Sequence, residues 1–128
     1  MIKTPKVSIL MNCYNGEEYL ENAIYSALNQ SYANWELIFF NNASTDSSKE
    51  IFFSFQDERF KYFERPTTID IAFARNEALL NAEGDWIAIL DVDDIWDSNK
   101  LEFQIKALLD NDIDDVKIVF TSCEVITQ

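Results

Sequence analysis

Apolar residues fall in short dense runs, separated by stretches in which they recur every three or four positions. Val7 to Met11 (VSILM), Trp35 to Phe40 (WELIFF), Phe60 to Phe63 and Trp86 to Leu90 (WIAIL) are the runs. Such runs mark strands of a parallel sheet covered on both faces. Tyr19, Leu20, Ala23, Ile24, Ala27 and Leu28 give one helical stripe, and Ile51, Phe52 and Phe55 a second. A third helix is predicted over 70–83, where Ala74, Ala78 and Ala82 form a small-residue face suited to close approach to a sheet. Leu101, Ile105, Leu108 and Leu109 predict a fourth. Ser47 and Glu50 have the spacing of a capping box, and Gly84 stands where a helix C-cap is expected. After an acidic turn over 111–115, Val116 to Ile126 reads as a fifth strand. The alternation βαβαβαβαβ predicts an α/β fold: a mostly parallel sheet flanked by helices, with the Trp86–Leu90 run as its central strand.

That central run ends in Asp91, Val92, Asp93 and Asp94. Three carboxylates after a buried strand are costly to desolvate unless a cation joins them. The carboxyl ends of strands in an open α/β sheet form the crevice where ligands bind. Oxygen-only ligands suit Mg²⁺ or Mn²⁺ with a phosphate-bearing partner. The plain alternative, that they cap the next helix, would use only one of them. The first strand ends in Asn12, Cys13, Tyr14, Asn15 and Gly16, and the second in Asn41, Asn42, Ala43 and Ser44. All three polar ends are expected to meet in one crevice.

The chain has 128 residues, enough for one domain, and a net charge of −13. Such a surface repels nucleic acid and anionic lipid. It also repels a nucleotide diphosphate, so binding one calls for a metal bridge. The absence of His removes Ser-His-Asp and Cys-His chemistry and His-ligated zinc. Two glycines, Gly16 and Gly84, leave no Gly-rich phosphate loop. Cys13 and Cys123 both lie in apolar runs and read as buried free thiols. No apolar run approaches the roughly 20 residues of a membrane span, and a cytoplasmic location is expected.

The pieces PKVSILMNCYN, SALNQSYANWELIFFNNASTD, ARNEALLNAEGDWIAILDVDDIW and the following Lys100-Leu101 occur in an order and spacing that resembles a known family. It is the N-terminal, nucleotide-binding half of an inverting family 2 glycosyltransferase with the GT-A fold. The resemblance implies that Asp91-Val92-Asp93 is a DXD motif. Asp93 would bridge Mg²⁺ or Mn²⁺ to the diphosphate, Asp91 would serve the ribose and metal, and Asp94 would support them. Asn12 and Tyr14 match positions facing the uridine. Asn42, with Asn41 beside it, matches an acceptor for the pyrimidine N–H, and Arg75 lies near the nucleotide. The implied reaction moves a sugar from a nucleotide-diphosphate donor, a UDP-sugar first of all, to an acceptor hydroxyl with inversion. The acceptor would be a saccharide or a lipid-linked molecule, and the setting polysaccharide biosynthesis.

The general base of that family lies downstream, so no catalytic residue is assigned in this chain. Residues 1–128 are read as the donor-binding portion without an acceptor half, inactive alone, with an uncovered last strand that favours self-association. Several residues depart from the family pattern. Asn12 stands for a usual Pro, Asn41-Asn42 for a common Asp pair, Ala43 for a frequent Gly and Ser98 for a Pro. Two other readings are a non-catalytic nucleotide-sugar-binding or interaction module and a haloacid dehalogenase-type phosphohydrolase. Ile95 speaks against the second, because it stands where that motif needs a small polar residue.

Overall fold

The computed structural model describes residues 4–110 and 118–126. Its elements are β1 (Val7–Cys13), α1 (Leu20–Leu28), β2 (Trp35–Asn41), α2 (Ser48–Ser54), β3 (Phe60–Glu64), α3 (Ile71–Leu79), β4 (Trp86–Ile89) and α4 (Lys100–Asp110). The four strands form one parallel sheet in the order β3-β2-β1-β4. Among the described residues, no helix is long and apolar enough to cross a membrane.

Alternate residues of β1 and β2 serve opposite faces of the sheet. Ile9, Met11, Leu37 and Phe39 face a large core closed by Leu20, Ile24, Phe52, Leu101 and Ile105. Leu10, Ile38 and Phe40 face the other side, where Ala74 and Ala78 of α3 pack on them with Ala82 beside. The small-residue face of α3 therefore does what its spacing predicts: it lets the helix lie directly on β1 and β2. Phe39 stacks on Phe52 with ring centroids 4.4 Å apart, so the Phe-rich second helix is core.

Several expectations are corrected. The fully buried strands are β1 and β2, whereas among the described residues β4 pairs only with β1 and so stands at an edge. Because α3 lies over β1 and β2, Ile87 and Ile89 on that face of β4 stay 41% and 51% exposed. No fifth strand forms over residues 118–126. Ile118, Phe120 and Val125 are exposed there, and only Val119 reaches the core. A β-rich run becomes a strand only against a partner edge, and none pairs with this segment among the described residues. Val116, Lys117 and the acidic turn over 111–115 lie outside the described residues. Cys13 is buried as expected, but Cys123 is exposed with that unpaired segment.

Two punctuation marks also act differently. α3 ends at Leu79, and Gly84 has no positive φ, so Gly84 is not a left-handed cap; its role is close contact with β1. Ser47 makes no side-chain cap bond. Asp46 takes that task, accepting from the Ser48 N–H at 3.0 Å, while the Ser47 N–H, which a capping box would give to Glu50, goes to the Glu17 carboxylate at 2.8 Å.

Candidate functional site

The C-terminal ends of β1, β2 and β4 lie at the same edge of the sheet, as parallel pairing requires. The turns leaving β1 and β2 are strapped together. The Asn42 N–H donates to the Cys13 carbonyl at 2.8 Å, Asn15 N–H to Ser44 Oγ at 3.0 Å, and Thr45 N–H to Asn15 Oδ1 at 2.8 Å. Glu17 ties to the turn after β2 twice: its N–H donates to the Asp46 carboxylate at 2.9 Å, and its carboxylate accepts the Ser47 N–H at 2.8 Å. Burial would raise the Asp46 carboxyl, but the hydroxyl of Ser48 and the surrounding N–H groups hold it below its ordinary range.

Both turns enter the left-handed region, with φ 51° at Asn15 and 62° at Ala43. Asn tolerates that region; Ala pays a steric cost of roughly 1–2 kcal/mol. Ala43→Gly relieves that strain against some added freedom in the unfolded chain, and should raise stability by about 1 kcal/mol. The urea midpoint reads it; an unchanged or lowered midpoint would contradict the strain.

The acidic turn follows β4 and closes with an Asp94 N–H to Asp91 carbonyl bond at 3.0 Å. Val92, between the two motif aspartates, tucks against Gly16; a Cβ there would sit 3.1 Å from Val92 Cγ2. Gln30 fixes the far side of the turn. Its Nε2 donates to the Asp97 carbonyl at 2.7 Å, and its Oε1 accepts the Leu101 N–H at 3.0 Å. Asp97 accepts the Asn99 N–H at 2.9 Å ahead of α4. Asp91, Asp93 and Asp94 are therefore not spent on starting that helix.

The electrostatics of the turn are one-sided. Arg75, on α3, reaches Asp91 Oδ1 with Nη2 at 2.8 Å. Burial first, and then the charges of Asp93 and Asp91, push the Asp94 carboxyl up. The Tyr19 hydroxyl is raised by its hydrogen bond to Glu18 and, more weakly, by the field of Asp93. A cation placed here would relieve that crowding. No group of three or more His, Cys, Asp or Glu side chains among the described residues converges on one metal position. One or two carboxylates with hard oxygen donors still fit Mg²⁺ or Mn²⁺ when a diphosphate supplies further oxygens.

Three buried donors at this edge have no partner among the described residues: Nδ2 of Asn12, Nε of Arg75 and, after β3, Nε of Arg65. Unpaired buried donors cost free energy, and a polar ligand would satisfy them. Tyr14 is 55% exposed beyond the end of β1 and is not a core residue. Asn41 donates to the Tyr62 hydroxyl at 2.9 Å and accepts the Ser44 N–H at 2.9 Å. Burial first, opposed by Asn41 and helped by Glu64, leaves the Tyr62 hydroxyl pushed up to about 12. Asn42 turns its carboxamide to the backbone of Ile69, on the segment before α3. The structure thus brings Asp91 and Arg75 together and sets Asn12, Tyr14 and Asn42 at adjacent strand ends. The supporting residues Gln30, Glu17 and Asp46 were not singled out from sequence, since nothing in a polar loop marks which backbone groups a side chain will bond.

Comparison with known proteins gives a consistent picture. Residues 8–127 match the sequence model of Glycosyl transferase family 2. The chain is 45% identical over 107 residues to the UDP-Glc:alpha-D-GlcNAc-diphosphoundecaprenol beta-1,3-glucosyltransferase WfgD of Escherichia coli, covering 84% of this chain and 42% of that protein. It is 36% identical over 108 residues to the putative teichuronic acid biosynthesis glycosyltransferase TuaG of Bacillus subtilis, covering 83% of this chain and 43% of the relative. The chain thus spans less than half the length of these relatives. Among solved structures, S. aureus TarS 1–349 superposes with TM-score 0.78 at 24% identity, over 82% of this chain and 32% of that one. The mannosyltransferase PcManGT of Pyrobaculum calidifontis, in complex with GDP-Man and Mn²⁺, superposes with TM-score 0.75 at 24% identity, over 84% and 33%. These two likenesses show the fold, a GT-A arrangement.

Proposed function

We propose, from the premise that the chain belongs to glycosyl transferase family 2, that the C-terminal edge of its sheet binds the nucleotide diphosphate of a sugar donor. The observation that carries this reading is the bond that ties Arg75 to the acidic turn, with two unpartnered buried donors, Nε of Arg75 itself and Nδ2 of Asn12, at the same end of the sheet. The whole protein would transfer the sugar to an acceptor hydroxyl with inversion, using a general base outside this chain. A UDP-sugar is the favoured donor: the E. coli relative's name specifies UDP-Glc, and TarS has been solved with UDP-GlcNAc.

In this reading Asn12 offers its free Nδ2 to the base or ribose, and Tyr14 offers an exposed ring beside it. Arg75 keeps Asp91 in place with Nη2 and presents Nε towards the phosphates, as a planar guanidinium can bond two partners at once. Asp93 and the second oxygen of Asp91 would hold Mg²⁺ or Mn²⁺, with Asp94 behind them. When bound, the metal would neutralise charge on the leaving diphosphate, Lewis-acid help worth several kcal/mol. Asn41 and Asn42 shape the rim of the base pocket.

The test is calorimetric titration of UDP with and without Mn²⁺, on the wild type and on Asp93→Ala. Binding should need the metal, and Asp93→Ala should weaken it by about tenfold or more. UDP binding indifferent to both Mn²⁺ and Asp93 would sink the metal-bridged reading. Saturable UDP binding to a longer chain that never transfers sugar would favour the non-catalytic module.

A further inference from the structure

Asn42 is only 5% exposed, and its carboxamide is committed at both ends to one backbone position. Nδ2 donates to the Ile69 carbonyl at 2.7 Å, and Oδ1 accepts the Ile69 N–H at 3.0 Å. The two bonds imitate a strand pairing, so the end of β2 grips a segment that has no regular structure of its own. The Asn42 N–H is in turn held by the Cys13 carbonyl at 2.8 Å. The gripped segment leads straight into α3: Asp70 accepts the Ala72 N–H at 2.9 Å and caps the helix. One turn later comes Arg75, bonded to Asp91 at 2.8 Å.

We propose that Asn42 is a positioning residue, whose two-point amide clamp on Ile69 sets the start of α3 and thereby holds Arg75 against the acidic turn. An aspartate could not do this. An ionised carboxylate only accepts hydrogen bonds, so one oxygen would face the Ile69 carbonyl with no proton between them. The amide at position 42, where the family commonly has an acid, is thus explained by what it holds. Arg65 adds a second tie on the same segment, through its ion pair with Glu77 of α3. The clamp stands without any ligand; its consequence for nucleotide binding rests on the donor-site reading.

The experiment uses the whole chain as Asn42→Asp, with Asn42→Ala as the second variant. Amide hydrogen exchange at Ile9 and Leu37 reports whether β1 and β2 remain folded. In a folded variant, Ile69 N–H protection should fall about tenfold or more. The Arg75 Nε–H signal in NMR, which needs no nucleotide, should shift or broaden in the same variants. UDP affinity in the presence of Mn²⁺ should drop about tenfold. Unchanged Ile69 protection would overturn the clamp. Lost Ile69 protection with an unmoved Arg75 signal would overturn the positioning role and leave a local loop tie. A wild type that fails to bind UDP would defeat the donor-site reading alone, and the Arg75 signal would still decide this one.

Discussion

Glu36→Ala should remove about 3–5 kcal/mol of stability, a large part of the roughly 5–15 kcal/mol a domain of this size possesses. Glu36 is 2% exposed and sits in the middle of the sheet on β2. Its carboxylate accepts from Ser8 Oγ at 2.6 Å, Lys6 Nζ at 2.8 Å, Lys61 Nζ at 3.0 Å and the Glu83 N–H at 2.7 Å. Alanine leaves the buried Ser8 hydroxyl and the Glu83 N–H without their acceptor and leaves both lysines to the exposed Glu83 carboxylate alone, and that loss exceeds whatever desolvation is recovered. Urea denaturation at pH 7 measures it, and a midpoint within error of wild type would refute the network's importance.

The same group gives an acid signature. Burial by itself would raise the Glu36 carboxyl, but the bonds from Lys6, Ser8, Glu83 and Lys61 outweigh burial and bring it down from 4.5 to about 2. A lowered folded pKa means the unfolded chain takes up this proton first. The contribution is therefore complete above about pH 4.5 and drains away as pH falls to about 2, amounting to about 3 kcal/mol. Glu36→Gln should flatten this part of the stability curve.

Gly84→Ala should cost about 3 kcal/mol, at the upper end of overpacking changes. A Cβ at Gly84 would lie 2.6 Å from the backbone N and the Oγ of Ser8 and 2.8 Å from the Lys6 carbonyl. Two of these three atoms are backbone of β1 and its approach, so no rotamer can make room. The alternative is for β4 to move off β1, breaking the Trp86 N–H to Lys6 carbonyl bond of 3.1 Å and the Gly84 N–H to Ser8 bond of 2.8 Å. β4 carries the acidic turn at its other end, so on the proposed donor-site reading nucleotide binding should weaken with stability. Gly16→Ala is the comparison. Its nearest neighbours are side-chain atoms of Cys13 and Val92 at 3.1 Å, which can give way, and the cost should be about 1 kcal/mol. Equal denaturation midpoints for the two variants would contradict this difference.

Both sites meet at Ser8, which pairs in register with Glu36 across β1 and β2. They are the second residues of the runs VSILM and WELIFF. A polar residue at the same place in two adjacent buried strands was a readable sign of a bonded pair. Its further partners were not readable: Lys6, Lys61 and Glu83 come from three other parts of the chain.

Within the candidate site, Asp91, Asp93 and Asp94 stood out from sequence because charge at the end of an apolar strand is costly and so demands a reason. Arg75 was legible as a nearby cation, but its bond to Asp91 depends on α3 crossing β1 and β2 at the distance its alanines permit. Asn42 read as a ligand acceptor, since a side chain's polarity is visible in sequence and its direction is not.

The sequence by itself determined the alternation of strands and helices, the parallel sheet, the polar strand ends and the acidic turn. These rest on period and composition, which are local properties. Tertiary structure alone decided that, among the described residues, β1 and β2 are the central strands and β4 an edge, because strand pairing joins segments far apart in the chain. It also decided that residues 118–126 form no strand, since an apolar run has no partner until the sheet is assembled. Last, it turned Gly84 from an expected helix cap into a contact with β1, and Asn42 into a clamp on Ile69. Each of these depends on which backbone lies within about 3 Å, a distance that only the folded chain sets.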